Sequence, residues 1–160
     1  MTISADTIPV LDSIGELGKS YSAWLVDIWG VMHNGVRAFP AAVDATRRFR
    51  EQGGIVYLPH PFDRLHAIPE PATLHRHLAE VDVLEVYNAR LLFEAYNDEA
   101  LRFARKYDLT MGAGSDAHVL QGIGTGAVRM RAFDGPDDFL VSLRSAQVMR
   151  RPRSLLYLQS

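Results

Sequence analysis

Short apolar runs alternate with longer amphipathic stretches along the chain. A run such as AWLVDIW at residues 23–29 is typical of a strand buried on both faces of a parallel sheet. The repeated strand–helix order predicts an α/β fold, a single domain of βα units with a largely parallel sheet. The predicted strands cover 23–29, 55–58, 81–87, 109–113 and 127–133, and the predicted helices cover 40–52, 71–80, 88–107 and 136–145.

Turn-forming residues separate these elements. Asn34 and Gly35 predict a turn, and the glycine pair at 53–54 predicts the end of a helix that starts at Pro40. Four prolines between residues 59 and 71 predict a loop. Residues after 145 are expected to form a C-terminal tail.

Composition narrows the classes of partner and site. The formal charge of the 160 residues is −2, so charge gives no reason to expect a nucleic-acid partner. The chain has no cysteine, which excludes disulfides and thiolate metal sites. No apolar run is long enough to span a bilayer, and the N-terminus lacks a signal-peptide pattern, so we expect a cytoplasmic protein with no membrane partner.

Candidate chemistry lies where predicted strands end, because ligands of parallel α/β folds bind at that edge. Asp116 and His118 are two residues apart and point the same way from an extended segment, so both can reach one cation. His60 follows the second strand, and Glu85 and Asn88 end the third. A simpler interpretation makes His60 a loop residue and Asp116 the cap of a helix that begins at residue 117.

Other polar residues favour simpler roles. His75 and His77 are expected at the surface, since they point to different sides of a short polar helix, and His66 in the proline loop has no partner at ligand spacing. The acidic cluster at residues 134–138 is typical of a helix N-terminus, where carboxylates meet the positive end of the helix dipole.

Three blocks in order carry a family resemblance. They are GIVYLPHPFD at 54–63, LEVYNAR at 84–90 and GSDAH at 114–118. From residue 54 onward the chain resembles the C-terminal part of a PHP-domain (polymerase and histidinol phosphatase) phosphoesterase. The resemblance implies a metal-dependent hydrolase of phosphate esters on a partial (β/α) barrel, with a phosphorylated small molecule or nucleotide as substrate. It implies His60, Asp116 and His118 as ligands of Zn, Mn or Fe, and Glu85, Asn88 and Arg90 as residues that bind substrate.

The preceding segment has a different resemblance. Residues 21–53, with LVDIWGVMHNG at 25–35, resemble the opening of a haloacid-dehalogenase-like phosphatase. This implies Asp27 as a catalytic nucleophile that works with Mg²⁺, whereas Trp29 stands where that family has its acid/base residue. The chain would thus join a dehalogenase-like segment (1–53) to a PHP-like segment (54–160) within one folded domain.

The expected function is a PHP-type metal-dependent phosphoesterase. Its activity is expected to be impaired, because no His-x-His block, which supplies further ligands in that family, precedes residue 54. The alternatives are a dehalogenase-like phosphatase that uses Asp27, or a non-catalytic fragment or metal-binding chimera. An incomplete barrel exposes sheet edges that a second copy of the chain can cover, so a homo-oligomer is also expected.

Overall fold

The computed structural model describes Met32, Asn34, residues 36–64 and residues 71–151, without the side chains of residues 71 and 73. The predicted strand at 23–29, Asp27 and His66 lie outside the described residues. The chain divides into two compact units, with the boundary after Arg47. The predicted division at residue 53, and the count of one domain, stay predictions. No described helix is long and apolar enough to cross a membrane.

The described part of the first unit contains the predicted turn. The Asn34 side-chain oxygen accepts hydrogen bonds from the backbone N–H groups of Val36 and Arg37, both at 3.0 Å. Helix α1 (Pro40–Glu51) follows and begins, as predicted, with a proline, whose missing N–H costs a helix nothing in its first turn. The helix starts in the first unit and ends in the second, where Gly53 takes a φ of +89° that suits glycine at a helix end.

A three-stranded parallel sheet organises the second unit. Its order is β1 (Tyr57–Leu58), β2 (Val83–Asn88) and β3 (Thr110–Gly114). Helix α2 (Pro71–Arg76) and a short 3₁₀ helix (Leu78–Glu80) lie between β1 and β2 along the chain, and helix α3 (Glu94–Lys106) connects β2 to β3. The predicted α/β class with a parallel sheet is confirmed.

The central strand β2 lies against α3. All six of its residues are buried. Leu84 and Val86 share an apolar cluster with Ala100 and Ala104 of α3, and Phe62 and Leu74 complete that cluster. Side chains alternate between the faces of a strand, so Glu85 is directed to the face opposite this core.

The start of α3 was predicted wrongly. The sequence predicted a helix from residue 88, but Asn88 is the last residue of β2 and α3 begins at Glu94. The Asn88 side-chain oxygen accepts the backbone N–H of Arg90 at 2.9 Å, a local bond that turns the chain before the helix starts. Asparagine competes in this way with helical hydrogen bonding.

A second, antiparallel sheet follows. Strands β4 (Gly126–Arg129) and β5 (Gln147–Arg150) pair with each other, and helix α4 (Gly135–Arg144) lies between them along the chain. Residues 147–150, predicted as part of a tail, are therefore a strand, and the strand predicted at 127–133 ends at Arg129. Four residues of mixed polarity are too short to show strand periodicity. The two sheets form no closed barrel within the described part of the chain.

Candidate functional site

Polar side chains gather at the carboxyl ends of the three parallel strands. The His60 turn (residues 59–64) follows β1, Glu85 and Asn88 lie on β2, and the Asp116 turn (residues 115–119) follows β3. Parallel strands end at one edge of a sheet, which brings these predicted residues together. Hydrogen bonds of Glu85 and Asn88 link the three segments.

Glu85 is the buried acid of this edge. It is only 5% exposed, and its Oε2 accepts the backbone N–H of His60 at 2.7 Å and the side-chain amide of Asn88 at 3.1 Å. Burial raises the pKa of Glu85 above its ordinary value, since the charged form loses hydration, while the two hydrogen bonds act in the opposite direction. The neighbouring charge of Asp116 raises this pKa further.

Asn88 connects the buried acid to the turn after β3. Its side-chain nitrogen donates to Glu85 and also lies 3.3 Å from Oδ2 of Asp116. Asn97 of α3 holds the Asn88 backbone, with its Oδ1 accepting the Asn88 N–H at 2.9 Å and its Nδ2 donating to the Asn88 carbonyl at 3.2 Å. The result is a continuous polar chain from the His60 turn through Glu85 and Asn88 to Asp116.

An irregularity in β2 makes the contact between Glu85 and Asn88 possible. Residues three apart on a regular strand point to opposite faces. The pairing of β2 with β3 shifts register between Glu85 and Tyr87, and such irregularities re-aim side chains. The shift lets Asn88 reach the carboxylate of Glu85.

Asp116 and His118 lie side by side, but not on the extended segment that the sequence predicted, because the φ of Asp116 is +47°; that both reach one cation stays a prediction. Nδ1 of His118 lies 3.0 Å from the Asp116 carbonyl oxygen and 3.6 Å from its carboxylate. The His118 side chain is exposed, whereas that of Asp116 is partly buried. No α-helix begins at residue 117; a short 3₁₀ helix (Leu120–Gly122) follows without a side-chain cap, so the capping interpretation of Asp116 is wrong.

His60 and Asp116 share an unusual backbone. Their φ values are +28° and +47°, in the region that favours glycine. The Nδ1 atom of His60 is buried, and its turn includes a hydrogen bond from the N–H of Asp63 to the His60 carbonyl at 3.1 Å. Such conformations persist where surrounding contacts hold them.

The described residues fit a metal ion only in part. Imidazole nitrogen and carboxylate oxygen suit Zn, Mn or Fe. However, the described ranges contain no group of three or more His, Asp or Glu side chains that could hold one cation. The structure thus pairs Asp116 with His118 without assembling them with His60 into a complete set, and the metal-ligand prediction stays a prediction.

The remaining predicted site residues have separate outcomes. Arg90 contributes its backbone N–H to Asn88, and Arg90 itself is exposed. A role for Arg90, Glu85 or Asn88 in binding substrate stays a prediction, as does nucleophilic catalysis by Asp27, which lies outside the described residues.

Sequence reasoning missed the residues that shape the surroundings of Glu85. Glu85 Oε1 occupies the space where a side chain at Gly114 would begin, and the Tyr57 ring and hydroxyl occupy the corresponding space at Gly112. Burial, followed by the charge of Glu85, raises the pKa of Tyr57. Two glycines spaced two residues apart, one on the strand predicted at 109–113 and one directly after it, were the available signal, because both leave the same face open.

Comparison with known proteins supports part of the family resemblance. Residues 94–148 match the family model described as PHP-associated. The C-terminal region is therefore PHP-related. The comparisons give no support to the dehalogenase-like resemblance of residues 21–53, which stays a prediction.

One relative is an uncharacterized protein of Methanocaldococcus jannaschii. It is 34% identical over an alignment of 133 residues that covers 73% of this chain and 56% of the relative. The chain thus spans about half the length of this curated relative. No solved structure matches the chain.

Proposed function

We propose that this protein is a PHP-type, metal-dependent phosphoester hydrolase. The observation that carries the proposal is the polar chain from Glu85 through Asn88 to Asp116 and His118, at the carboxyl edge of a parallel sheet. Its third strand and the turn after it belong to the region that matches the PHP-associated family model. A buried acid linked to a partly exposed Asp–His pair is an arrangement typical of functional sites.

The exposed end of this chain is where a phosphorylated ligand would bind. If Nδ1 of His118 donates its hydrogen to the Asp116 carbonyl, the neutral ring presents Nε2 as an acceptor. That tautomer is the one that binds a cation through Nε2. The partly exposed Asp116 carboxylate adds an oxygen donor beside it.

The donor set is incomplete among the described residues, so we derive no catalytic step through a metal ion. A divalent cation, when bound, supplies charge that stabilises the phosphoryl oxygens and lowers the pKa of a bound water. The proposal therefore requires donors in addition to the Asp116–His118 pair. It takes a phosphorylated small molecule or nucleotide as the substrate class.

Metal content and hydrolysis test the proposal in the full chain. The wild type and Asp116→Ala would be loaded with Mn²⁺, Zn²⁺ or Mg²⁺, and metal affinity would be measured by calorimetry beside hydrolysis of an aryl phosphate. We expect Asp116→Ala to lower metal affinity by at least about tenfold, as loss of a site residue commonly does. Hydrolysis by the variant is expected to fall in parallel.

Asp98→Ala is the matched control, because Asp98 is exposed on α3 and the substitution removes one carboxylate in the same way as Asp116→Ala. It should keep both metal affinity and rate. The proposal is wrong if the wild type binds none of the three cations and hydrolyses no phosphate ester.

A further inference from the structure

The polar atoms of Asn88 are directed to protein groups. Both hydrogens of a carboxamide can donate, and the nitrogen of this one lies within hydrogen-bond distance of Glu85 and Asp116. Its oxygen accepts the Arg90 N–H. With 2% exposure, Asn88 has little surface left for a ligand.

Glu85 is similarly engaged, with one oxygen bound and the other enclosed. Oε2 accepts two hydrogen bonds, and Oε1 lies against Gly114. The bonds to the two turns bridge segments far apart in sequence, because His60 and Glu85 are 25 residues apart and Asn88 and Asp116 are 28 residues apart. The two side chains therefore connect the His60 turn to the Asp116 turn through β2.

Both connected residues have an unfavourable backbone, which among the described residues they share with Asp108, outside this polar chain. A non-glycine residue at positive φ is strained and needs contacts that hold it in place. His60 and Asp116 both have positive φ. The His60 N–H donates a hydrogen bond to Glu85, and the Asp116 carboxylate accepts one from the side chain of Asn88. A backbone N–H held by a carboxylate is among the stronger bonds available for this purpose.

We propose that Glu85 and Asn88 are positioning residues: Glu85 fixes the backbone of His60, and Asn88 fixes the carboxylate of Asp116. This role differs from the substrate binding that the sequence predicted for them. It rests on the proposed function only in what the fixed groups are used for, namely holding a divalent cation beside a phosphate ester.

Four variants of the full chain separate the contributions. Glu85→Ala removes the acceptor for the His60 N–H, whereas Glu85→Gln keeps an oxygen of similar position. Asn88→Ala removes the bridge to Asp116, and Asn88→Asp replaces its donor with a third acid beside Glu85 and Asp116. Ser142→Ala is the control, since it removes a buried side chain's 2.8 Å bond to the Arg131 carbonyl, away from the polar chain.

Hydrogen exchange of the His60 amide, measured by NMR without metal, is the direct readout. Loss of about 1.4 kcal/mol of protection corresponds to a tenfold faster exchange, and we expect at least that for Glu85→Ala. Glu85→Gln should restore protection, and the control should leave it unchanged. Unchanged His60 exchange in Glu85→Ala would overturn the positioning role of Glu85.

Mn²⁺ affinity and the kinetics of aryl phosphate hydrolysis give the second readout. We expect Glu85→Ala and Asn88→Ala to weaken Mn²⁺ binding by about 10- to 100-fold, which is the usual effect of removing groups that orient metal ligands. Asn88→Asp should give an Mn²⁺ affinity different from that of Asn88→Ala, because it adds an acid. If these variants instead raise KM while Mn²⁺ affinity stays at the wild-type value, the residues bind substrate and the inference is wrong.

The outcomes distinguish this inference from the proposed function. If Asp116→Ala weakens Mn²⁺ binding but the Glu85 and Asn88 variants do not, positioning fails and the proposed function stands. If the wild type binds no cation, the proposed function fails, and the exchange of the His60 amide alone decides whether Glu85 positions that turn.

Discussion

Two carboxylates of this protein, Glu85 on β2 and Asp138 on α4, accept hydrogen bonds in opposite electrostatic settings. Each accepts one backbone N–H, from His60 at 2.7 Å and from Asp134 at 3.0 Å respectively. Glu85 is buried, and its side-chain donor is the neutral amide of Asn88. Asp138 is paired with the guanidinium of Arg131 near the N-terminus of α4.

The two pKa values move in opposite directions for this reason. Burial raises the pKa of Glu85. The hydrogen bond from Arg131, followed by that from the Asp134 backbone, lowers the pKa of Asp138. A cationic partner therefore favours the charged form of a carboxylate. Burial among neutral donors favours the protonated form, and such an acid gains more from binding a proton or a cation.

The largest expected effect comes from filling the space that Glu85 occupies. In Gly114→Ala the added methyl group would meet Oε1 of Glu85, and overpacking of this kind costs about 2 kcal/mol of unfolding free energy. Urea unfolding would measure the loss. In the Glu85→Ala background the same methyl group has room, so Gly114→Ala should cost only a small fraction of the unfolding free energy that it costs in the wild type. Equal costs in both backgrounds would contradict the packing of Glu85 against Gly114.

The next effect concerns the charge of Glu85. Its raised pKa means that the folded state favours the protonated acid, so this stabilising contribution is complete below the ordinary glutamate pKa and is lost as pH rises through the raised value. Glu85→Gln stays neutral, so it should exceed the wild type by about 1 kcal/mol at pH 8, in line with replacing buried charge by a neutral group of similar shape. Urea unfolding in a metal chelator at pH 5 and pH 8 would measure the difference.

That difference should shrink toward pH 5. A matched replacement of an exposed acid, Glu51→Gln, is expected to show no such pH dependence. A constant difference between Glu85→Gln and the wild type across this range would show that the charge of Glu85 is not the cause.

The smallest expected effect has the opposite sign. The lowered pKa of Asp138 contributes stability above the ordinary aspartate pKa, and this contribution is lost as pH falls through the lowered value. Asp138→Asn should therefore melt slightly below the wild type at pH 7, and the gap should close in acid. Because the pair is at the surface, added salt should also reduce the gap. A variant that melts above the wild type at pH 7 would contradict the role of Arg131.

Much of the fold was predictable because its elements are locally encoded. The start of α1 at Pro40 and the buried strand near residues 83–88 follow from proline chemistry and a continuous apolar run. The start of α3 was not predictable from its apolar stripe, because a side-chain bond of Asn88 turns the chain first. Strand β5 depends on its partner β4, which lies about twenty residues earlier in the chain.

The candidate site was predictable in membership but not in connection. Strand ends identified Glu85, Asn88 and Asp116, because parallel strands end at one edge. That Asn88 bridges two acids depends on a register shift that no residue pattern announces. Asn97 was missed because an asparagine within a helix gives no sign that it holds the backbone of a neighbouring strand.

The register shift in β2 has a consequence for how this chain tolerates insertions and deletions. The number of residues between Glu85 and Asn88, rather than their identity, sets whether the two side chains meet. Removing one of the two residues between them would leave Glu85 and Asn88 two apart, a spacing at which a regular strand directs both side chains to one face. The contact between Glu85 and Asn88 can therefore survive the loss of one intervening residue, whereas the type of Val86 is restricted by its place in the apolar cluster.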